Sequence, residues 1–358
     1  MDIEIKELLK EFKPLIDKTI EKYIPKEFNE EHLNFMLGKP RFKYTPQTIT
    51  EGISKPVWDY LERGGKRWRP YLFLLVYESL GGDPKDVVDF AILPELIHNA
   101  TIIHDDIEDM SEERRGKPAL HLIFGEDIAI NVGDALYFIP FLPFFKKKGK
   151  FDKERLLKAY EVCIQELIRV AMGQATDIVW HKGLCNADDV TEEEYLQMCL
   201  NKTGCIPRMS AKLAAILAGK DEETVEKLGR LAEGIGVAFQ IQDDILNLTG
   251  EEFAKRKGGL GEDITEGKRS LLVIHTLRNA NEKDRKRLLE ILNMHTTDQK
   301  LRNEAISIIK KYGSVEYAKE KARSLVKEAW DEIEKILPDS EAKKKLKAFA
   351  YYLIERKI

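Results

Sequence analysis

Apolar residues recur at three- and four-residue steps along most of the chain. Leu156, Leu157, Tyr160, Cys163, Leu167, Val170 and Ala171 form one series, and Val225, Leu228, Leu231, Ile235, Ala238 and Phe239 another. That is the period of an amphipathic helix. Alternating runs flanked by Asn-Gly or Asp-Gly are absent from the sequence, so no hairpin is expected. Gly and Pro fall between the periodic blocks, at Gly81-Gly82-Asp83-Pro84, Gly219 and Gly258-Gly259, where helices should stop. The pattern predicts an all-α protein, with a helical N-terminal extension over residues 1–45 ahead of one large domain over residues 46–358.

A chain of 358 residues can bury a large core without dividing. The net charge of −4 provides no basic footprint, which argues against a nucleic-acid partner. The four cysteines show no paired spacing for zinc and suit a reducing compartment. The opening "MDIEIKELLKEFK" is too charged for a signal peptide. No apolar run in the sequence approaches the ~18 residues of a spanning helix. The expectation is a soluble, cytoplasmic protein. Only "YFIPFLPFFKKKGK" (residues 137–150) complicates it. That segment reads as a helix end entering a solvated loop, with peripheral membrane contact as the sharper alternative.

The segment "IIHDDIEDMSEERRGKP" concentrates both signs of charge. Asp105 and Asp109 are four apart and share a helix face, an arrangement that destabilises a helix unless something binds the acids. "FQIQDDILNLTG" repeats the spacing with Asp243, Asp244 and Asn247. Hard oxygen ligands without His or Cys are what Mg²⁺ prefers, above all when phosphate oxygens complete its shell. A third doublet, Asp188-Asp189, precedes Thr191 and Glu194, a capping-box pattern, and is read as a helix start. Arg114 and Arg115 follow the first acid cluster, and "GGKRWRP" supplies Lys66, Arg67 and Arg69. Guanidinium forks match diphosphate oxygens, so the acid and basic clusters together imply two diphosphates, one held through metal and one held directly.

In order, "GGKRWRP", "IHNATIIHDDIED", "RRGKPALH", "GQATD", "NKTG", "FQIQDD" and "GEDITEGKRS" resemble the motifs of the trans-isoprenyl diphosphate synthases, over about residues 64–270. The forms "DDIED" and "EDITEGK" are most similar to geranylgeranyl diphosphate synthases. The resemblance implies a single large antiparallel helical bundle around a central cavity, isoprenoid synthase-like and homodimeric. It also implies three Mg²⁺ ions when substrate is bound. By position, Asp105, Asp106, Asp109, Asp243 and Asp244 would bind the metal. Arg114, Lys202, Lys257 and Lys268 would meet the allylic diphosphate. Lys66, Arg67, Arg69, His98 and Arg115 would hold isopentenyl diphosphate, and Thr203 and Gln240 would line the reacting carbons. Asn247 departs from the family, many of whose members have a third aspartate there.

The resemblance also bears on product length. Ala100, five residues before Asp105, is too small to stop a growing chain, and Tyr137 and Phe138 would close the cavity instead. A C20 product is expected, with C15 or longer chains as the alternative. Two rivals share part of the pattern. A terpene cyclase would not need "GGKRWRP", and a non-catalytic regulatory subunit would lose one of the clusters.

Overall fold

The structure is a computed structural model that describes residues 4–146, 149–250 and 260–355. Its described residues are mainly helical with almost no strand, as the periodicity predicts. They divide into two compact units, Met1–Tyr160 with Leu213–Lys220, and Glu161–Lys212 with Asp221–Ile358.

In the first unit, α1 (Ile5–Tyr23), α2 (Glu30–Leu37), α3 (Lys55–Glu62), α4 (Trp68–Ser79), α5 (Ile92–Glu108) and α6 (Glu126–Phe138) are the principal helices. α4 is buried on all sides from Trp68 to Tyr77, and so has no polar face to show. It packs on α1 and α5, and α5 packs on α6. Ile92, Leu93, Leu96, Ile97, Ala100 and Ile103 carry α5 through the core.

One sequence expectation fails here. From Glu126, α6 continues through a 3₁₀ turn at Ile139–Phe141 and a short helix at Leu142–Lys146, and this 21-residue run is long and apolar enough to cross a membrane by length and composition. Pro140 and Pro143 disguise it in the sequence, yet they tighten the helix without ending it. Much of the run faces the core. Phe141 and Phe144 stack at 5.9 Å, and Phe144 meets Phe90 edge-on at 5.1 Å. The expected solvated loop is therefore largely aromatic core up to Phe144.

A two-stranded ribbon, β1 (Glu113–Arg114) with β2 (Lys117–Pro118), is the second surprise. Arg115 and Gly116 both have positive φ, 55° and 76°, which matches a type I′ turn. Arg-Gly is not one of the dipeptides that advertise this turn.

In the second unit, α7 (Lys153–His181), which begins in the first, is followed by α8 (Glu192–Cys199), by α9 (Cys205–Leu217), whose residues from Leu213 belong to the first, and by α10 (Glu222–Thr249). Then come α11 (Leu271–Asn279), α12 (Glu282–Asn293), α13 (Gln299–Lys311), α14 (Ser314–Ile333) and α15 (Glu341–Glu355). α10 packs along α14 and buries Val225, Leu228, Leu231, Ile235 and Ala238 as the periodicity predicts. The α7 series is only partly buried: Cys163 is enclosed, but Leu157 is 58% exposed. Thr191 caps α8, its hydroxyl accepting from the Glu194 N–H at 3.2 Å while the Glu194 carboxylate accepts from the Thr191 N–H at 2.7 Å. Asp188 pairs with Arg269, so the third acid doublet is structural, as expected.

Between α8 and α9 the chain makes a π-helical turn, Leu200–Gly204, against which α10 packs. A Cβ on Gly173 of α7 would lie 2.3 Å from the Lys202 backbone nitrogen, and one on Gly236 of α10 would lie 2.8 Å from the Gly204 Cα. Gly173→Ala should therefore force α7 off the turn. We expect a loss of about 1–3 kcal/mol, read as a lowered urea midpoint. An unchanged midpoint would mean that the backbone approach is not needed.

Candidate functional site

α5 ends at the first acid cluster. Asp109 is its C-cap, Met110 turns through φ 54°, and the Ser111 N–H donates back to the Asp106 carbonyl at 2.8 Å. The β-ribbon then returns Arg114 to Asp106. Arg114 Nε donates to Asp106 Oδ1 at 2.7 Å and the terminal Nη2 donates to the same oxygen. Burial pushes the Asp106 carboxyl up, and Arg114 pulls it back in part. Asp106 Oδ2 is buried and accepts no hydrogen bond among the described residues.

Arg115 lies over the Tyr60 ring at 5.1 Å, with weak contacts at 3.4 Å to the Gly64 carbonyl and Asn99 Oδ1. Arg69 lies over the Trp68 ring at 4.3 Å. His98, two turns before Asp105, is half-buried. Burial, then Arg69, Arg115, Arg114 and Arg67 in turn, depress its imidazole well below 6.5. His98, Arg69, Arg114 and Arg115 thus form one electropositive neighbourhood beside Asp105 and Asp106. Lys66 lies exposed on the same Gly64–Arg69 segment.

Arg67 calls for a correction. It is 2% exposed and spends its donors internally: Nε on Asp17 at 2.9 Å, Nη1 on Glu95 at 3.1 Å and the Gly64 carbonyl at 3.0 Å, Nη2 on the Leu61 carbonyl at 2.9 Å. It is not placed to bind substrate; it positions the loop that carries Lys66. Phe138 is also corrected. Its side chain is 73% exposed, because the helix phase turns it outward, so it closes no cavity within this chain. Tyr137 is half-buried and tilts against His104 at 5.6 Å between ring centres. Ala100 is fully buried on α5.

The second unit holds the other cluster around Asp244 of α10. Tyr195 donates to Asp244 Oδ2 at 2.6 Å, while Gln240 Nε2 and Lys268 Nζ donate to Oδ1 at 3.0 and 2.9 Å. Thr203 donates to Gln240 Oε1 at 3.0 Å. Lys202 reaches Asp177 of α7. Burial alone would raise the Asp177 carboxyl, but Lys202 and Lys268 hold it below its usual range. Burial would likewise lower Lys268, and Asp244, Asp263 and Asp177 hold it well above.

Asp243 lies at the more exposed edge of α10. Asn247 is buried and accepts the Asp263 N–H at 3.2 Å, fastening α10 to the Gly261–Asp263 turn. Lys257 lies outside the described residues. Asp177 and Tyr195 were missed by sequence reasoning. Asp177 ends the quoted "GQATD", four residues after Gly173, and only the fold shows that it meets Lys202.

The carboxylates fit a hard divalent ion. The donors are all oxygen, and the buried Asp106 Oδ2 has lone pairs to offer. Among the described residues, no three His, Cys, Asp or Glu side chains converge closely enough to hold an ion by themselves. Phosphate oxygens are the natural complement to so open a donor set.

Residues 50–309 match the family model of the polyprenyl synthetases. A short chain isoprenyl diphosphate synthase of Methanothermobacter thermautotrophicus is 36% identical over 312 residues, covering 87% of this chain and 91% of the relative. A geranylgeranyl diphosphate synthase of Saccharolobus solfataricus is 35% identical over 333 residues, 92% and 97% of the two chains. The crystal structure of the geranylgeranyl pyrophosphate synthetase from Pyrococcus horikoshii Ot3 is similar at a TM-score of 0.83 and 34% identity, covering 99% of each chain. The fold is therefore the all-α fold of the isoprenoid synthases.

His98 generates a prediction. The folded imidazole stays neutral where the unfolded one takes up a proton, so stability should fall as pH drops below about 6.5. Urea unfolding at neutral and at mildly acid pH should show a smaller loss for His98→Gln than for the parent. Equal losses would mean that another group carries the proton.

Proposed function

The chain belongs to the polyprenyl synthetase family, and from that premise we propose that it condenses isopentenyl diphosphate with an allylic diphosphate to give geranylgeranyl diphosphate. It is a chain-elongating trans-prenyltransferase. The observation that carries the reading is the neighbourhood at the end of α5, where Asp105 and Asp106 stand beside Arg114, Arg115, Arg69 and His98. Such a mixture suits a diphosphate that needs both metal and direct donors. The family match from residue 50 favours a catalytic domain over residues 46–358 behind an N-terminal extension.

In this reading Asp105, Asp106, Asp109, Asp243 and Asp244 hold Mg²⁺, three ions in the substrate complex. When bound, Mg²⁺ neutralises the leaving diphosphate and so eases ionisation of the allylic C–O bond. Lys66, Arg69, Arg115 and the neutral His98 orient isopentenyl diphosphate. Arg114, Lys202, Lys257 and Lys268 hold the allylic diphosphate. Asp177 and Tyr195 act as positioning residues, the first on Lys202 and the second on Asp244. Thr203 and Gln240 line the reacting carbons. The isopentenyl double bond attacks the allylic cation, and the proton lost goes to the released diphosphate.

A C20 product is supported by the small, buried Ala100, with Tyr137 left as the aromatic stop. Homodimerisation is supported by exposed apolar side chains, Ile130 at 45% and Phe138 at 73% on α6, Ile168 at 50% and Met172 at 56% on α7. The enzyme would work in the cytoplasm on water-soluble diphosphates.

The test is elongation of labelled isopentenyl diphosphate with Mg²⁺ and dimethylallyl, geranyl or farnesyl diphosphate as primer. A single C20 diphosphate is expected. Longer chains would remove the Tyr137 stop, and no elongation with any primer would favour the regulatory subunit. Ala100→Phe should shorten the product to C15 or less, while an unchanged product spectrum would take Ala100 out of the chain-length path.

A further inference from the structure

α2 ends at Gly38, whose φ of 87° turns the chain out of the helix. The Gly38 carbonyl accepts the Tyr44 hydroxyl at 2.7 Å, closing a short loop around Lys39, Pro40, Arg41, Phe42 and Lys43. Phe42 is 85% exposed at its tip and Leu37 is 64% exposed at its base. Lys39, Arg41 and Lys43 are exposed too, and none of them makes an ion pair among the described residues. Arg41 lies over the Phe42 ring at 5.2 Å. A second segment joins this corner: Lys146 lies over the Phe35 ring of α2 at 4.7 Å, and its neighbour Phe145 is 54% exposed.

The corner thus carries four cations, Lys39, Arg41, Lys43 and Lys146, on a chain whose net charge is −4. The acids of α2, Glu30 and Glu31, sit at its other end, about 10 Å away along the helix axis. Apolar tips between uncompensated cations are costly in water and of no use to a core. They match a lipid interface, where rings enter at the headgroup level and cations meet phosphates. A second copy of the chain would bring the same positive charge to the same face, which disfavours self-association there.

We propose that the loop from Leu37 to Lys43, with Phe145 and Lys146, docks the protein on an anionic lipid bilayer. Each basic residue near such a surface strengthens binding by a factor of about five at low salt, and salt weakens it. The inference rests on this surface alone and does not depend on the product assigned above.

The test is co-sedimentation of the full chain with vesicles of phosphatidylglycerol and phosphatidylcholine, against pure phosphatidylcholine. The parent should bind the anionic vesicles and leave the neutral ones. Lys39→Glu/Arg41→Glu/Lys43→Glu should weaken that binding at least tenfold, and Leu37→Ser/Phe42→Ser should weaken it even at low salt. Both variants should elongate water-soluble primers as the parent does, which shows that they are folded. No binding by the parent, or equal binding by all three proteins, would overturn the proposal. So would a fall in molar mass of the Leu37→Ser/Phe42→Ser variant by light scattering, which would make the face an interface between copies.

Discussion

The architecture depends on one constraint: a carboxylate taken out of water must meet a cation, and here that cation comes from another segment of the chain. Glu95 of α5 meets Arg67 from the loop before α4, which also reaches Asp17 of α1. Asp106 meets Arg114 from the ribbon. In the second unit Asp177 of α7 meets Lys202 of the π-helical turn, Asp244 of α10 meets Lys268 beyond the Gly261 turn, and Glu166 of α7 takes a forked contact from Arg208 of α9 at 2.9 and 2.6 Å. Each pair therefore fixes a loop to a helix, or one helix to another. Removing one partner would leave a buried charge, a loss of about 3–5 kcal/mol.

The glycines act on a shorter scale. Gly173, Gly204 and Gly236 let α7, the π-helical turn and α10 approach at backbone distance. That approach brings Lys202 to Asp177 and Thr203 to Gln240. π-helical turns cost regular hydrogen bonding and are common where a site needs an altered backbone. Here the cost is offset by close packing on both sides.

The same reasoning explains why acids can stand so close together. Asp244 is shared among Tyr195, Gln240 and Lys268, so its charge is spread before any ligand arrives. Asn247, which lacks the charge of an aspartate, spends its side chain on the Asp263 N–H and secures the turn that leads to Lys268. Substituting charge for structure at this position leaves Asp243 and Asp244 as the acids of α10. A reaction that develops positive charge on carbon gains from such an ordered, water-poor arrangement, since the dipoles need not reorganise.

Helical class, the α10 core series, the Thr191 cap and the family motifs were determined by the sequence, because each rests on local periodicity or on short-range chemistry. The paired acids Asp105 and Asp109 and the matching Asp243–Asn247 spacing were legible for the same reason: helix geometry puts residues four apart on one face. Tertiary structure decided what depends on distant partners. Arg67 reads like Arg69 in "GGKRWRP", yet its left-handed backbone aims it into the core at Asp17 and Glu95. Phe138 reads like Tyr137, yet successive positions on one helix point about 100° apart, so one ring is exposed and the other lies half-buried against His104. Asp177 and Tyr195 gave no sign of their roles, because Lys202 lies 25 residues from the first and Asp244 lies 49 from the second. A linear pattern records which face a residue takes on its own helix; what that face meets is settled by how the helices pack.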